Sequence, residues 1–458
     1  MKLKVFALIV LTTQMNLWAQ FNEPQIISDY GSLEVYLFDF DGDNDNDILL
    51  VNNDSTIWIE NLDGLGNFGP DRIINDDPGW AAAYAGDING DGDIDVVSVL
   101  QDWQSGEDFY KIVWFENLDG LGNFGPQQIV GDAINLNSRT VFAGDLDGDG
   151  DVDVLSGSHT ELFWFENLDG LGSFGPKKII ATDVGIARDV LASDVDNDGD
   201  LDVFAVSIQD DTVFWHENID GSGNFGPQQI IDTEIGEVWS IFTEDMNSDG
   251  NLDFLTATWY SGEISWYENL NGLGNFGTKQ VISNEALRAT SVFAADLDND
   301  GDNDVLSATL DPGPSQTIAW YENQDGMGSF SAQQILPGES NWGFGIIAGD
   351  LDGDNDIDVI GSSPVGGTVW YENAGALAID DTVLKNFSVI PNPTTNYISI
   401  SGLENIQVDQ IMIVDSMGKL VLVTKNKYNI DVSFLESGVY YLIFFSDRKT
   451  IVRKLIKY

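Results

Sequence analysis

The chain has no cysteine among its 458 residues. That excludes a disulfide framework, thiol chemistry and any thiolate metal centre. Histidine is scarce, with two copies, and 19 Lys and Arg stand against 76 Asp and Glu. A formal net charge of −57 argues against nucleic acid or an anionic membrane as a partner. Beyond the first 19 residues no apolar run is long enough for a transmembrane helix. What is present is a hydrophobic content of 43% and an aromatic content of 11%. That suffices for a sizeable core, so the chain is not a disordered acidic tail, and its length allows more than one domain.

The acid is concentrated in one recurring stretch, clearest at Gly144-Asp145-Leu146-Asp147-Gly148-Asp149-Gly150-Asp151-Val152-Asp153-Val154. Carboxylates fall at loop positions 1, 3, 5 and 9, with glycine at position 6. Alternate residues of a tight loop point inward, and Ca²⁺ takes six to eight oxygens, a backbone carbonyl at position 7 among them. An EF-hand would carry a bidentate Glu at position 12 and flanking helices. Here the acid is at position 9 and Val152–Ser156 alternates as a strand does, so the loop belongs to a β-hairpin.

Reading positions 1, 3, 5, 7 and 9, the first three copies are Asp39/Asp41/Asp43/Asp45/Asp47, Asp87/Asn89/Asp91/Asp93/Asp95 and Asp145/Asp147/Asp149/Asp151/Asp153. The others are Asp194/Asp196/Asp198/Asp200/Asp202, Asp245/Asn247/Asp249/Asn251/Asp253, Asp296/Asp298/Asp300/Asp302/Asp304 and Asp350/Asp352/Asp354/Asp356/Asp358. Asn44 and Asn355 replace the glycine at position 6, and Asn also tolerates the left-handed conformation. Acidic Asp-Gly turns are common on protein surfaces. Seven in register would repel themselves without cations, so the expectation is up to seven Ca²⁺. At free calcium ten times a site's Kd, each would add roughly 1.4 kcal/mol, on the order of 10 kcal/mol for all seven.

Residues 1–19 have the form of a secretory signal, with basic Lys2 and Lys4, a short apolar run from Val5 to Leu11, and Leu17-Trp18-Ala19 at the cleavage point. From 20 to 376 the chain is a repeat array with a period of about 50 residues. The third unit shows its grammar: strand A at 140–144, the acidic loop, strand B at 152–156, strand C at 162–167, a Gly-rich turn at 168–172 and strand D at 174–180. Four antiparallel strands repeated radially make a propeller blade.

A Trp-x-Glu-Asn signature marks strand C at Trp58, Trp114, Trp164, Trp266, Trp320 and Trp370, with Trp215 in the fourth unit. One indole per blade is expected to pack between blades. The seventh unit stops at Asn373 without a strand D, while Phe21-Asn-Glu-Pro-Gln-Ile-Ile27 looks like an orphan strand D that completes it. The expected fold is all-β, a seven-bladed β-propeller over 20–376, then a linker at 377–387 and a small β-sandwich domain at 388–458, where acidic loops vanish and Lys and Arg appear.

The array resembles the FG-GAP/VCBS repeat family, which also supplies the calcium-binding blades of integrin α-subunit propellers. The likeness rests on the seven loops and on Phe-Gly pairs such as Phe174-Gly175. The Gly-Ala-Pro element is replaced by Ala143-Gly144 or Ala348-Gly349, which loosens the tie to integrins and leaves the calcium loop intact. The resemblance implies calcium-stabilised propellers in adhesion, ligand binding and some lectins. The last domain resembles a type A sorting domain of the type IX secretion system, through Ile390-Pro391-Asn392-Pro393-Thr394, Met417-Gly418-Lys419, Leu435–Tyr440 and Val452-Arg453-Lys454-Leu455. That implies handling by the type IX machinery and a place outside the cell or on its surface.

In this strand order the A–B acidic loops line one face, and the D–A and B–C connections line the other. On that second face Trp80, Arg139, Arg188, Trp239, Arg288 and Trp342 precede strand A, and Trp103, His159, Trp259 and Tyr260 lie between strands B and C. Indoles suit the apolar face of a sugar, and guanidinium groups suit carboxylate or sulfate. These residues are the candidate ligand site, for a glycan or an extracellular protein. The alternative is a channel plug with locally balanced charge. No catalytic set stands out: His216 lies within a strand C signature and acidic pairs are too many to rank. An enzyme acting on polysaccharide, lyase or hydrolase, and a purely structural spacer remain the competing readings.

Overall fold

The structure is a computed structural model. It describes residues 20–458 apart from 53, 78–81, 102–108, 136–139, 234, 311–317, 339–342, 365, 375–387, 402–409, 416–418, 426–427 and 447–448. The stretches read as the signal and the linker lie outside the described residues. One compact unit spans Phe21–Asn373, and the other contains Ala374–Tyr458.

The first unit begins with β1 (Gln25–Ser28), and its first blade is β2 (Glu34–Phe38), β3 (Asp47–Val51), β4 (Thr56–Ile59) and β5 (Arg72–Asn75). The second is β6 (Ala82–Gly86), β7 (Asp95–Gln101), β8 (Phe109–Phe115) and β9 (Gln128–Asn135), and the third β10 (Thr140–Gly144), β11 (Asp153–Gly157), β12 (Glu161–Phe165) and β13 (Lys178–Thr182). The fourth is β14 (Ala187–Ser193), β15 (Asp202–Ser207), β16 (Thr212–His216) and β17 (Gln229–Thr233), and the fifth β18 (Val238–Glu244), β19 (Asp253–Thr258), β20 (Ile264–Tyr267) and β21 (Gln280–Ser283). The sixth is β22 (Ala289–Ala295), β23 (Asp304–Thr309), β24 (Ile318–Tyr321) and β25 (Gln334–Ile335), and the seventh combines β26 (Gly345–Gly349), β27 (Asp358–Ser363) and β28 (Gly367–Tyr371) with β1.

The A strands lie side by side in the order β2, β6, β10, β14, β18, β22, β26 and back to β2, which makes them the inner wall of a closed ring. Strands B and C are sandwiched between neighbouring blades. That is why β11 and β15 are buried along their whole length and are written as near-continuous apolar runs. Strand D is the outer edge and carries exposed positions. It also starts later than its apolar pattern suggests. Phe174 makes an isolated bridge to Asn167, and ladder pairing resumes at Lys178. Pro176 between them has no N–H to give.

Closure is completed from the other end of the unit. β1 pairs antiparallel with β28, Gln25 opposite Trp370, and Phe21 bridges Asn373 as Phe174 bridges Asn167. Phe21 meets Trp320 edge-on at 6.4 Å, as Phe68 meets Trp370 at 5.8 Å. Strand exchange at the join leaves the last blade with four strands and no missing edge.

What fastens blade to blade is the Asn of the strand C signature. Its side-chain Nδ2 donates to the carbonyl at loop position 2 of the preceding blade: Asn117 to Phe40 O at 2.8 Å, Asn167 to Ile88 O at 2.7 Å, and Asn373 to Leu297 O at 2.7 Å. Asn61, Asn218, Asn269 and Asn323 do the same toward Leu351, Leu146, Val195 and Met246, so every junction carries the bond. All seven asparagines are fully buried.

The indoles fill the same seam. Trp58, Trp114 and Trp164 are buried, and each lies under the Gly-rich turn of the next blade. A Cβ built on Gly122 would come 2.1 Å from Trp58, and one on Gly172 2.4 Å from Trp114. The turn's other glycine serves its own blade: a Cβ on Gly120 would come 2.3 Å from the carboxylate of Asp93. Gly-x-Gly is therefore a two-sided requirement, independent of the turn's positive φ.

The second unit has two sheets. One is β29 (Ser388–Ile390), β30 (Tyr397–Ser401) and β33 (Ile430–Asp431). The other runs β32 (Leu420–Thr424), β31 (Gln410–Asp415), β34 (Gly438–Ser446) and β35 (Lys449–Lys457). Ile398, Ile400 and Ile430 from the first sheet form one apolar cluster with Ile411, Ile413, Leu442 and Leu455 from the second.

Two substitutions separate packing from turn geometry. Gly122→Ala, at φ +72° and against Trp58, should cost about 2–5 kcal/mol, strain plus overpacking. Gly92→Ala, at φ +95° with nothing within 4 Å of the new Cβ, should cost about 1–2 kcal/mol for conformation alone. The melting temperature of the propeller in calcium reads the difference; equal losses would remove the inter-blade account of the turn.

Candidate functional site

Each acidic loop is folded by its own carboxylates. In the third copy Asp145 accepts the N–H of Gly148 at 2.7 Å and of Gly150 at 3.0 Å, and Asp149 accepts that of Asp151 at 3.0 Å. Position 9 is different in kind. Asp153 is fully buried and accepts the N–H of Leu146 at 3.0 Å on Oδ2 and of Asn167 at 2.8 Å on Oδ1. Asp47, Asp95, Asp202, Asp253, Asp304 and Asp358 repeat this double bond. The acid at position 9 thus pins the loop to strand C and to the Asn that holds the seam with the preceding blade.

Carboxylate oxygens converge within 4.8 Å of one another in five loops: Asp39/Asp41/Asp43, Asp145/Asp147/Asp153, Asp194/Asp196/Asp202, Asp296/Asp298/Asp300 and Asp350/Asp352/Asp358. The second and fifth loops, with Asn89 and Asn247 at position 3, form no such trio of acids among the described residues. There Asp87 and Asp245 keep the folding bonds of position 1, to the N–H groups of Asp91 and Gly92 and of Asp249 and Gly250.

Fewer of these carboxylates converge than the spacing implied. Position 5 joins a trio only at Asp43 and Asp300. Asp91, Asp149, Asp198, Asp249 and Asp354 are exposed and stand outside the trios. In every loop position 5 turns back to accept the N–H of position 7, Asp91 from Asp93 at 3.0 Å and Asp198 from Asp200 at 3.2 Å, and also Asp43 from Asp45 and Asp300 from Asp302, both at 3.0 Å. That Asx bond holds one oxygen on the turn. Position 7 joins no trio at all. Asp45, Asp93, Asp151 and Asp302 lie against Gly64, Gly120, Gly170 and Gly326 of the C–D turn, as Asn251 lies against Gly272.

Two observations bear on whether a cation fits. The Oδ1 atoms of Asp41, Asp147 and Asp298, all at position 3, are buried and accept no hydrogen bond. The carboxyls are also held far from their ordinary range. Burial pushes Asp47, Asp95, Asp153, Asp202 and Asp304 up to about 7 and Asp358 up to about 8. At Asp298 and Asp352, burial and then the neighbouring Asp300 and Asp354 raise it to about 6. A hard divalent ion would satisfy the orphaned oxygens and offset the repulsion.

The glutamate of the strand C signature belongs to this environment. Glu60, Glu166, Glu217, Glu322 and Glu372 each add to the negative field at position 3 of their own blade. Its recurrence one residue before the seam Asn was the available sequence signal. Glu166 pairs with Lys178 at 2.6 Å, and Glu60 with Arg72.

On the opposite face the structure joins four of the candidate ligand residues. The Arg188 guanidinium lies 4.7 Å over Trp239, Trp239 stacks on Trp259 at 4.1 Å and 16°, and Arg288 lies 5.7 Å over Trp259. Phe344 meets Trp239 edge-on at 5.9 Å, and the Trp239 Nε1–H donates to Glu237 at 3.1 Å. This ladder crosses blades four to six. His159 sits half-buried between β11 and β12, and Trp80, Trp103, Arg139 and Trp342 lie outside the described residues. His216 is buried within β16, its Nδ1 2.9 Å from Gly226 O, with its pKa lowered by burial.

Below the ladder the channel holds acids that the sequence did not single out. Glu34 is pushed up to about 7 by burial, with Arg188 pulling it down and Asp189 pushing it further. Asp189 rises to about 6, also by burial. Both bind across a blade boundary. Glu34 accepts the Ala83 N–H and Asp189 accepts that of Ile241 at 3.0 Å, each from the following blade.

Against known proteins, a profile of the FG-GAP-like repeat matches residues 39–98, 145–205, 194–256, 245–307 and 299–361, more than half of the chain. This chain belongs to the FG-GAP-like repeat family. A secretion system C-terminal sorting domain matches residues 388–458, so the FG-GAP propeller is exported by type IX secretion to the cell surface or the extracellular space. Among the described residues no helix is long and apolar enough to cross a membrane.

No curated protein matches the chain. Among solved structures, BBS1N in complex with ARL6DN is similar at 8% identity, with 78% of this chain and 98% of that one covered and a TM-score of 0.54 in the mercury-soaked crystal. The lead-soaked crystal gives 0.52. An Agrocybe aegerita lectin that recognises non-reducing terminal N-acetylglucosamine is similar at 21% identity over 67% of this chain and 81% of its own, with a TM-score of 0.49. The BBS1N likeness shows the propeller fold alone.

If divalent ions hold the FG-GAP loops, chelation must cost stability. The purified protein should melt well below its temperature in millimolar calcium once EDTA is added, and elemental analysis should find calcium on the untreated protein. Asp147→Asn should shift the melt in calcium and leave it unmoved in EDTA. A melt indifferent to chelator would remove the metal from the account.

Proposed function

We propose that this protein is a secreted, calcium-stabilised FG-GAP propeller that acts as a binding or adhesion module, with up to seven Ca²⁺ in the A–B loops and its ligand on the opposite face. The ligand is a glycan or an extracellular protein. The observation that carries this reading is the Arg188–Trp239–Trp259–Arg288 ladder. Surface loops held on a rigid scaffold are where proteins place binding residues. This ladder rests on backbone hydrogen bonds, two between blades, Ala187 N–H to Ser158 O at 3.1 Å and Arg288 N–H to Trp259 O at 3.1 Å, and one within the fifth, Trp259 N–H to Glu237 O at 2.8 Å. Calcium stabilises the ring and does not touch the ligand, because loops and ladder lie at opposite ends of the strands.

Incubation with arrayed glycans and extracellular proteins in millimolar calcium should capture a ligand. Capture should fall in EDTA and in an Arg188→Ala, Trp239→Ala double variant that keeps its melting temperature. Unaltered capture by that variant would move the site elsewhere; no capture at all would favour the spacer reading. New reducing ends or unsaturated uronates in the same incubations would instead establish the polysaccharide-degrading enzyme.

A further inference from the structure

The ladder uses its indoles internally. Trp239 has Arg188 over its ring and is stacked on Trp259, which in turn carries Arg288. What the ladder presents outward is its end. Arg288 is exposed, and Tyr260, next to Trp259, is 74% exposed.

Both residues sit on backbone that is locked in place. Arg288 lies in the left-handed region at φ +57°, and Glu237, whose carbonyl holds Trp259, lies there at +62°. Such conformations are strained for non-glycine residues and persist only where the surroundings impose them. The surroundings do so here. Tyr260 N–H donates to Gly236 O at 3.1 Å, Ala286 N–H to Gly262 O at 3.1 Å, and Leu310 N–H to Arg288 O at 3.0 Å. Gly262 packs so closely on Leu287 that a Cβ would come 3.0 Å from the Leu287 backbone. A B–C loop of the fifth blade and a D–A connection of the sixth are thereby sewn together, with one aromatic ring and one guanidinium at the seam.

Among the described residues, no carboxylate pairs with that guanidinium. Arg72, Lys177, Lys178 and Lys279 each pair with a glutamate, Lys111 donates to Gln127, and Arg188 lies against the charges of Glu34 and Asp189. Arg288 has no carboxylate partner among the described residues; its contact is the Trp259 indole. A planar guanidinium pre-oriented on an aromatic face matches a planar two-oxygen anion better than a neutral hydroxyl does.

Resting on the binding-module reading, we infer that Tyr260 and Arg288 form a subsite for an anionic sugar, with the pyranose face on the Tyr260 ring and its carboxylate or sulfate on Arg288. Trp239 and Trp259 are positioning residues that hold Arg288.

Isothermal titration of the purified full chain in millimolar calcium tests this with three probes: a tetragalacturonate, its methyl ester, and a sulfated tetrasaccharide. The free acid or the sulfated probe should bind and the methyl ester should not. Which anion binds identifies the source of the charge. Arg288→Gln and Tyr260→Ala should each weaken binding roughly ten- to a hundredfold, and Arg288→Lys should fall between. Arg72→Gln, at the outer edge of the first blade, should leave binding unchanged. Unchanged melting temperatures keep the comparison valid. Equal binding of acid and ester, or binding insensitive to both Arg288→Gln and Tyr260→Ala, overturns the subsite while leaving a binding module in place. Failure of all three probes, with ligand capture on the array intact, also overturns the anionic class; failure of both assays sinks the module itself.

Discussion

A buried carboxylate at loop position 9 holds this molecule together. Asp153 and its six counterparts each accept two backbone N–H groups, one from the loop and one from the Asn of strand C. That Asn then donates across the seam to the carbonyl at loop position 2 of the preceding blade. The residue whose N–H binds the aspartate and the residue whose carbonyl receives the next asparagine are the same. Loop, strand and neighbouring blade therefore cannot relax separately. The cost is an ionisable group in a dry site, visible in the upward push on every position-9 carboxyl.

This coupling explains why acidity and architecture are inseparable here. The carboxylates at positions 1 and 5 fold the loop through backbone N–H groups, while Asp41, Asp147 and Asp298 at position 3 keep a buried oxygen with no donor. An ion at such a loop would act on the propeller's core, since position 9 ties the loop into the seam. The opposite face is built on other chemistry. Arginine and tryptophan are stacked there, braced by backbone bonds between connections. The acidic loops and the Arg–Trp ladder lie at opposite ends of the same strands.

Much of this was legible in residue spacing. Loops in register, one indole per repeat and a lone Phe-containing strand at the start together dictated blade number and closure. The convergence of positions 1, 3 and 9 followed from alternation along a tight turn, at Asp145, Asp147 and Asp153 among others. Other features were not visible. Alternation alone put position 5 inside the loop, yet Asp91, Asp149, Asp198, Asp249 and Asp354 face solvent outside the converging carboxylates. Asp151 and its counterparts turn to the C–D glycine because that turn folds back over the loop, which no local spacing reveals. The strand C glutamate enters the loop's field for the same reason. The sequence placed Trp239 and Trp259 on the face opposite the acidic loops; it did not foretell that they would stack on each other and leave Tyr260 and Arg288 at the surface.

By itself, then, the order of residues determined what repeats do: four strands, an acidic turn, an edge closed by exchange, and a sorting domain with a different composition. Short-range chemistry is enough for this, because strand periodicity, turn glycines and Asx bonds act within a few residues of one another. Only the tertiary structure decided which asparagine crosses which seam and which carboxylate accepts an N–H from the following blade. Those outcomes depend on residues about 50–80 positions apart in the chain meeting across blade boundaries, and the identity of a neighbour at that distance exists only once the ring has closed.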